Sequence, residues 1–380
     1  MFTLIIFIAV LAVLVLSHEF GHFIVARKNG ITVEEFGFGF PPRLIGIRRV
    51  KFGGKASWQI IWNKRQLEQT LEHHIGTIYS INLIPLGGFV KIKGENADEE
   101  IARDADSFSA KKSWQKASVL VAGVVMNFLL AAALLSIGYM IGMPAVGDEV
   151  GPDSKLQVVE TLSGKPADSA GVVVGDKIIK IGSIEHASVP EFQNYVNSHR
   201  TESISFTIER EGKIIAMNIQ PASISNGKFG IGVAIMPVGI IQYPWYRAIY
   251  EGTASAGKYL VMIFVGLWSL LHGLFSGASM DGAVAGPVGV AVLTGQAARL
   301  GFVYLLQFTA LLSLNLAAVN ILPIPALDGG RLLFVLWGKV FRRPVSPHTE
   351  QIIHTVGFAL LMFLVIMVTV KDIGSNFFKF

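Results

Sequence analysis

The segment His18-Glu19-Phe20-Gly21-His22 has the spacing of an H-E-x-x-H motif. On a helix, positions i and i+4 share a face, so the two histidines can hold one metal ion. Glu19 lies one residue along and can reach a water on that ion. A zinc ion lowers the pKa of such a water to about 7, and a carboxylate can then take its proton. These residues indicate metal-assisted hydrolysis, with a chance match on a surface helix as the alternative.

The surroundings of the motif argue against a chance match. An apolar run extends over residues 2–16 and continues through residues 23–26. Ionisable residues inside an apolar span are energetically expensive and usually functional. We therefore expect the motif to hold a metal ion within a membrane.

A third metal ligand must come from elsewhere, because catalytic zinc typically has three protein ligands and one open position. Asp328 ends a later apolar run and is the only acidic residue between Asp281 and Glu350. Prolines and glycines within residues 323–330 break the helix there, and a broken helix at membrane depth usually lines a site. The alternative role for Asp328 is to cap the next helix.

The composition indicates an integral membrane protein. Of the 380 residues, 52% are hydrophobic and 16% are charged, whereas soluble domains carry about 25% charged residues. A basic loop beside a membrane accounts for the formal net charge of +5, so no nucleic-acid partner is expected. The absence of cysteine excludes disulfides, thiolate metal ligands and a cysteine nucleophile.

The apolar runs and the basic residues between them predict four membrane spans. The first run is followed by Arg27 and Lys28 and has no basic region before it, which favours a retained span over a signal peptide. The loop that follows is rich in Lys and Arg and should be cytoplasmic. The later spans are expected near residues 117–143, 302–327 and 352–370.

A further apolar run at residues 259–275 is short and is interrupted by Gly266 and His272. Basic residues after the run at 302–327 suggest that the C-terminal end of that span is cytoplasmic. That end can be cytoplasmic only if residues 259–275 do not cross the membrane, because one more crossing would place it outside. We therefore expect residues 245–275 to form interfacial or packed helices.

Three regions follow from these patterns. The predicted N-terminal membrane part, residues 1–146, contains two spans and a cytoplasmic or re-entrant loop, in which residues 51–74 have no assigned role. Residues 147–240 have the composition of a soluble domain, which should be extracytoplasmic. The predicted C-terminal membrane part, residues 241–380, contains interfacial helices and two spans. Within the soluble domain, strands are expected at 156–162, 177–181, 204–210 and 213–219, with a helix at 189–198.

The motifs, in this order, resemble those of the bacterial site-2 proteases, of the regulator-of-sigma-E protease type with a single PDZ domain. That family has H-E-x-x-H in the first span, L-D-G in the third and an extracytoplasmic PDZ domain before the third. Leu327-Asp328-Gly329 matches L-D-G, and residues 164–179 resemble a PDZ pattern. Asn320 matches the start of N-x-x-P-x-P-x-L-D-G-G. Asn127 ends a segment in which Val124 replaces the family's usual proline.

The resemblance implies a membrane α-helical fold of about four transmembrane helices with an inserted extracytoplasmic α+β PDZ-like domain. It implies a zinc metalloendopeptidase in which His18, His22 and Asp328 hold Zn2+. Glu19 would be the general base. Asn320 and Asn127 would bind an unwound substrate or order the site; the alternative for both is a structural hydrogen bond between helices.

The implied activity is regulated intramembrane proteolysis of single-span membrane proteins, such as trimmed anti-sigma factors or signal-peptide remnants. The expected location is the bacterial inner membrane, where the chain crosses the lipid bilayer several times. Substrate C termini are possible ligands of the PDZ-like domain. A non-catalytic PDZ-containing membrane adaptor is the alternative, although it would not need Glu19. A metal transporter should have further intramembrane acids comparable to Glu19 and Asp328.

Overall fold

A computed structural model of the chain describes residues 2–52, 55–62, 76–95, 104–146, 155–210, 212–225, 228–276, 286–343 and 345–377. The fold divides into two compact units, one formed by Met1–Ile137 with Ile249–Phe380 and the other by Gly138–Ala248. Within the described residues, the first unit contains most of the long apolar helices, and the second is built mainly from strands.

The helices and strands have the following bounds in chain order. The helices are α1 (Phe2–Lys28), α2 (Ser113–Ile141), α3 (Pro166–Ser169), α4 (Val189–Ser198), α5 (Trp245–Ser276), α6 (Pro287–Leu300), α7 (Phe302–Ile321), α8 (Asp328–Phe341) and α9 (Pro347–Phe377). The strands are β1 (Val33–Phe52), β2 (Lys55–Ile61), β3 (Ile78–Ile92), β4 (Met143–Val146), β5 (Lys155–Thr161), β6 (Lys177–Ile181), β7 (Ile184–Glu185), β8 (Ile204–Arg210), β9 (Lys213–Ile219), β10 (Ala222–Ser225), β11 (Lys228–Gly230) and β12 (Val233–Ile241).

Five helices of the described chain, α1, α2, α5, α7 and α9, have stretches long and apolar enough to cross a membrane. The 27 residues of α1 measure about 40 Å at 1.5 Å per residue, which exceeds the roughly 30 Å of a hydrocarbon core. Arg27 and Lys28 lie in its last turn, where cations interact favourably with the helix dipole. Gly30 follows with φ of 66°, a left-handed conformation that commonly ends a helix.

The glycine- and proline-rich segments after α1 form a three-stranded sheet in the order β2-β1-β3. Gly37 of β1 lies opposite both Phe89 and Ser80 of β3, because β1 packs against two stretches of that strand. A Cβ at Gly37 would lie 2.5 Å from the Phe89 ring and 2.8 Å from Ser80 Oγ. The close approach therefore requires glycine. Residues 63–75, which include most of the loop without an assigned role, lie outside the described residues.

A buried ion pair stabilises this sheet from within. Glu35 is 9% exposed and accepts hydrogen bonds from Arg43 Nε at 3.0 Å and Ser80 Oγ at 2.6 Å. The Arg43 Nη2 atom also contacts this carboxylate. A buried carboxylate is tolerated when it is paired and hydrogen-bonded in this way.

An apolar cluster fixes α1 against its neighbours at the level of the H-E-x-x-H motif. Phe23 and Ala26 of α1 pack with buried residues of β1, β3 and α2. Val119, the contribution of α2, is 1% exposed. The cluster thus joins the helix that carries the motif to the sheet and to α2.

The second unit contains a sheet in the order β4-β12-β5-β6-β8-β9, with β7 paired to β6. Its core includes Leu156, Ile181 and Phe206, each at most 2% exposed. The bounds of β6, β8, β9 and α4 agree with the sequence prediction, and β5 begins one residue earlier than predicted. Residues 147–154, the predicted start of this domain, lie outside the described residues.

Asp176 is a buried carboxylate of the second unit, with 1% of its surface exposed. It accepts hydrogen bonds from Arg210 Nε at 2.7 Å, Arg210 Nη2 at 2.6 Å and Val173 N at 3.0 Å. Burial opposes its ionisation, but these hydrogen bonds hold the pKa of Asp176 below its ordinary value. The pair ties the turn before β6 to the end of β8.

Two helices bear on the sequence predictions. Residues 245–275, predicted to form interfacial or packed helices, belong to one continuous helix, α5, which passes through Gly266 and His272. A single glycine costs a helix only about 1 kcal/mol, which a long helix tolerates. The apolar run of residues 302–327 is helical only to Ile321. This agrees with the predicted helix break, because Pro323 and Pro325 cannot continue the helix.

Candidate metal centre

The first turn of α8 lies against the H-E-x-x-H motif of α1. The Nε2 atoms of His18 and His22 are 3.1 Å apart. Asp328 Oδ2 lies 3.0 Å from the first and 3.2 Å from the second. Ligands about 2.0 to 2.1 Å from a tetrahedral zinc ion lie roughly 3.3 Å from one another. The three atoms therefore have the separations of three corners of a zinc tetrahedron.

The protonation of the site also fits a metal ion. His22 Nδ1 lies 2.8 Å from the Val119 carbonyl oxygen, which can only accept, so Nδ1 carries a proton. In a neutral ring the lone pair is then on Nε2, which faces Asp328. Asp328 Oδ2 is buried without a hydrogen-bond donor in suitable geometry among the described residues. A metal ion bound between these atoms would satisfy the Asp328 oxygen and the His22 lone pair together.

Asp328 does not serve as the cap of the next helix. It is the first residue of α8, and Leu327 occupies the N-cap position without a side-chain cap. The Asp328 side chain faces the two histidines instead. Arg331, one turn later, forms an ion pair with Glu95, which ties α8 to the segment that follows β3.

Gly123 of α2 provides the space for the histidine pair. A Cβ at Gly123 would lie 2.5 Å from both His18 Cε1 and His22 Nε2. A Cβ at Gly21 of α1 would clash with the carbonyl oxygen of Ala122. Small residues let membrane helices approach closely, and here they bring the α2 backbone against the ligands. The role of Gly123 was not predicted, since no local sequence pattern indicates which glycine faces a ligand on another helix.

Glu19 is half-buried beside the histidines. Its Oε2 atom accepts a hydrogen bond from the backbone N–H of Val90 in β3 at 3.0 Å. The carboxylate lines a cavity of about 230 Å³ together with Val15, His18, Asn127, Leu316, Asn320, Ala326, Leu327 and Asp328. A candidate base therefore shares one cavity with two of the candidate metal ligands, His18 and Asp328.

Both predicted asparagines line this cavity. Asn127 is 0% exposed, and its Nδ2 atom lies 3.4 Å from His18 Nδ1. Its Oδ1 atom is buried without a partner among the described residues. Rotation of the amide by 180° would put Oδ1 in place to accept a hydrogen bond from His18 Nδ1–H, the arrangement that orients a metal-binding histidine. The backbone oxygen of Asn127 accepts a hydrogen bond from Ser313 Oγ at 2.8 Å, which links α2 to α7.

A helical H-E-x-x-H motif, an aspartate from a distant helix and a cavity-lining glutamate are the parts of a metal-dependent hydrolase. Several membrane-length apolar helices place that hydrolase in the class of integral membrane enzymes. The model of peptidase family M50 matches residues 6–63 and 66–364, and the chain belongs to this family.

Relatives of similar length support this assignment. A Clostridium acetobutylicum protein, whose name assigns it to the zinc metalloproteases, is 31% identical over 98% of this chain and 97% of its own length. The zinc metalloprotease RasP of Geobacillus kaustophilus is 29% identical over 98% of this chain and 97% of its own length. The expected family, enzyme class and zinc cofactor are thereby confirmed: the chain is a multi-pass membrane zinc metalloprotease of the site-2 type.

Solved structures match a smaller part of the chain. One is the PDZ domain of an SdrC-like protein from Listeria monocytogenes, which is 24% identical to this chain. The match covers 23% of this chain and 90% of that domain, with a TM-score of 0.21. Another is the second domain of a Listeria protein, which is 26% identical to this chain. The match covers 23% of this chain and 87% of that domain, with a TM-score of 0.20.

Proposed function

We propose that this protease performs regulated intramembrane proteolysis, cutting single-span membrane proteins after another protease has trimmed them outside the membrane. Trimmed anti-sigma factors and signal-peptide remnants are the proposed kinds of substrate. The observation that carries the proposal is the position of Glu19. It lies on an apolar, membrane-length helix and lines the same cavity as His18 and Asp328.

His18, His22 and Asp328 are the proposed zinc ligands. A zinc ion there supplies Lewis acidity that activates water and polarises the scissile carbonyl. Glu19 takes the proton of the attacking water and later gives it to the leaving amine. Asn127 orients His18, and Asn320, which lines the cavity, binds the unwound backbone of the substrate. The substrate helix must unwind first because its carbonyls are hydrogen-bonded and shielded.

Four spans, rather than five, fit the packing of α6. A Cβ at Gly295 of α6 would clash with Thr3, near the start of α1. Near the start of α6, Gly289 N donates a hydrogen bond of 2.8 Å to Asp372, near the end of α9. Both contacts lie at the end of the unit that the positive-inside rule assigns to the extracytoplasmic side.

Helix α5 must be compatible with that position of α6. If α5 crossed the membrane, residues 277–286 would have to return across it to reach α6. Ten residues extend over at most about 36 Å, so the return would need an almost straight chain. By helical spacing, Arg247, Glu251 and Lys258 also share one side of α5, as in helices that lie in the membrane interface. We therefore propose that α5 is interfacial.

Labelling of single cysteines will test this topology in a chain that has no natural cysteine. Asn197, Lys112 and Arg343 are exposed positions in the described chain. In a bacterial inner membrane, an impermeant thiol reagent added from outside is expected to label Asn197→Cys. The same reagent should label Lys112→Cys and Arg343→Cys only after the membrane is opened. Labelling of Arg343→Cys in intact cells would contradict four spans.

Residues 147–240, which lie within the second unit, are the proposed PDZ-like domain. This domain admits trimmed substrates by excluding large ones or by binding a new C terminus. The segment between the first and last strands of the unit can be deleted, because the ends that must be joined are neighbours: Val146 of β4 lies opposite Val238 of β12. A short glycine turn can therefore replace residues 147–237. The shortened protein should keep its zinc, since the proposed ligands all lie in the other unit.

The deletion tests the proposed function by comparing two substrates in proteoliposomes. The parent protein is expected to cut a trimmed single-span substrate and to leave the same substrate with its full extracytoplasmic domain intact. The shortened protein should either cut the untrimmed form or cut the trimmed form more slowly. Equal cleavage of both substrates by the parent protein would rule out selection by trimming.

A further inference from the structure

The turn between α7 and α8 is held in an unusual backbone conformation two residues before Asp328. Ala326 has φ of 75°, in the left-handed region that residues other than glycine rarely adopt. Such a conformation persists only where surrounding contacts fix it. The Ala326 N–H group donates a hydrogen bond of 2.8 Å to Nδ1 of His354 in α9. A side chain of the last helix therefore holds this turn.

The His354 ring is itself held firmly. Its side chain is 15% exposed, and the Phe334 ring of α8 packs edge-on against it with centroids 5.5 Å apart. Because Nδ1 accepts the hydrogen bond from Ala326, the proton of the neutral ring is on Nε2. That atom is buried without a hydrogen-bond partner among the described residues, and Glu350 Oε1 lies 3.8 Å away. The hydrogen bond through Nδ1 is therefore the specific contact that the ring makes.

Two glycines allow neighbouring helices to approach the turn closely. Gly357 lies one helical turn after His354 on the same face of α9, and a Cβ there would lie 2.9 Å from the Pro325 carbonyl oxygen. A Cβ at Gly330 of α8 would lie 3.2 Å from Pro325 Cα. Pro325 and Ala326 are thus enclosed between the start of α8 and the face of α9 that carries His354.

We propose that His354 is a positioning residue for the metal site: its Nδ1 atom fixes the turn at Pro325–Ala326 and thereby the carboxylate of Asp328. Only Leu327 separates Ala326 from Asp328, and no side chain caps the start of α8. The carboxylate must lie about 3 Å from two histidines on α1, so a small rotation of the turn would move it out of reach. This inference rests on the zinc site proposed above.

Two polar substitutions distinguish the Nδ1 contact from general packing. In His354→Asn the amide oxygen can occupy the position of Nδ1, whereas in His354→Gln it reaches the position of Nε2. Substitution of groups that orient metal ligands typically lowers metal affinity about 10- to 100-fold. We expect such a loss for His354→Gln and a change of less than about threefold for His354→Asn. His348→Gln is the control, because His348 is exposed on the first turn of the same helix.

Metal affinity is measured on the purified full chain in detergent by competition of a chelator for zinc. The visible absorption of Co2+-substituted protein gives a second readout of ligand geometry, and thermal unfolding of each apo-protein checks the fold. A parent protein that binds no zinc would refute the metal site itself. A parent that binds zinc, with equal affinity and equal Co2+ spectra in the Asn and Gln variants, would refute only the role of His354.

Discussion

Replacement of Glu19 by glutamine is expected to abolish peptide-bond cleavage while zinc remains bound. The amide has nearly the same shape and can still contact the backbone of Val90 in β3, but it cannot take a proton from the attacking water. General-base catalysis typically contributes about 10²- to 10⁴-fold, so kcat should fall by that factor. The assay is cleavage of a single-span substrate in proteoliposomes, with zinc content measured on the same samples.

A matched control for this variant is Glu34→Gln. Glu34 forms an ion pair with Lys91 at 2.7 Å, and the loss of a surface pair costs little. Activity near that of the parent is expected for the control. Turnover by Glu19→Gln at the parent's rate would show that another group acts as the base. A parent that binds zinc but does not cut the single-span substrate would instead contradict the proposed substrate class.

Replacement of Gly123 by alanine is expected to remove zinc without unfolding the protein. The added methyl group would meet the rings of His18 and His22 at 2.5 Å, and a contact that close forces both rings to move. Zinc needs both nitrogens near their present separation, so its affinity should fall by about two orders of magnitude or more. Chelator competition measures the affinity, and circular dichroism reports helix content.

Gly257→Ala is the control for the added methyl group. Gly257 lies in α5, and a Cβ there would meet nothing within 4 Å. Alanine also favours helix formation over glycine, so this control should bind zinc as the parent does. Retention of the parent's zinc affinity by Gly123→Ala, with helix content unchanged, would mean that α2 does not lie against the ligands as described.

The residues of the candidate site could be predicted from the sequence, but the contacts that surround them could not. His18 and His22 could be paired because helical spacing places them on one face, and Asp328 because it is an isolated acid beside prolines and glycines. The hydrogen bond of His22 to Val119 and the contact of Gly123 with both rings were not predicted. Each joins residues of different helices, and periodicity within one segment does not encode such contacts.

The same limit applies to the fold. The bounds of β6, β8, β9 and α4 followed closely from local patterns, since each of those elements alternates or repeats within a few residues. The short strands β4, β7, β10 and β11 and the strand β12 were not predicted. The pairing of β1 with two stretches of β3 did not follow from local patterns, because it depends on glycine positions that only the folded sheet explains. That residues 245–276 form one continuous helix was not predicted either, because a single glycine such as Gly266 does not decide whether a helix ends. The four-span count remains a prediction.

The positions of the candidate ligands along the chain have a consequence for biosynthesis. His18, Glu19 and His22 lie in the first helix, whereas Asp328 lies in α8 and His354 lies in the last helix. At about 5–20 residues per second, a ribosome needs tens of seconds to proceed from the first ligands to the third. During that time the nascent chain carries its base and two histidines without a complete ligand set. We therefore expect a chain still under synthesis to be inactive towards the newly inserted membrane proteins around it.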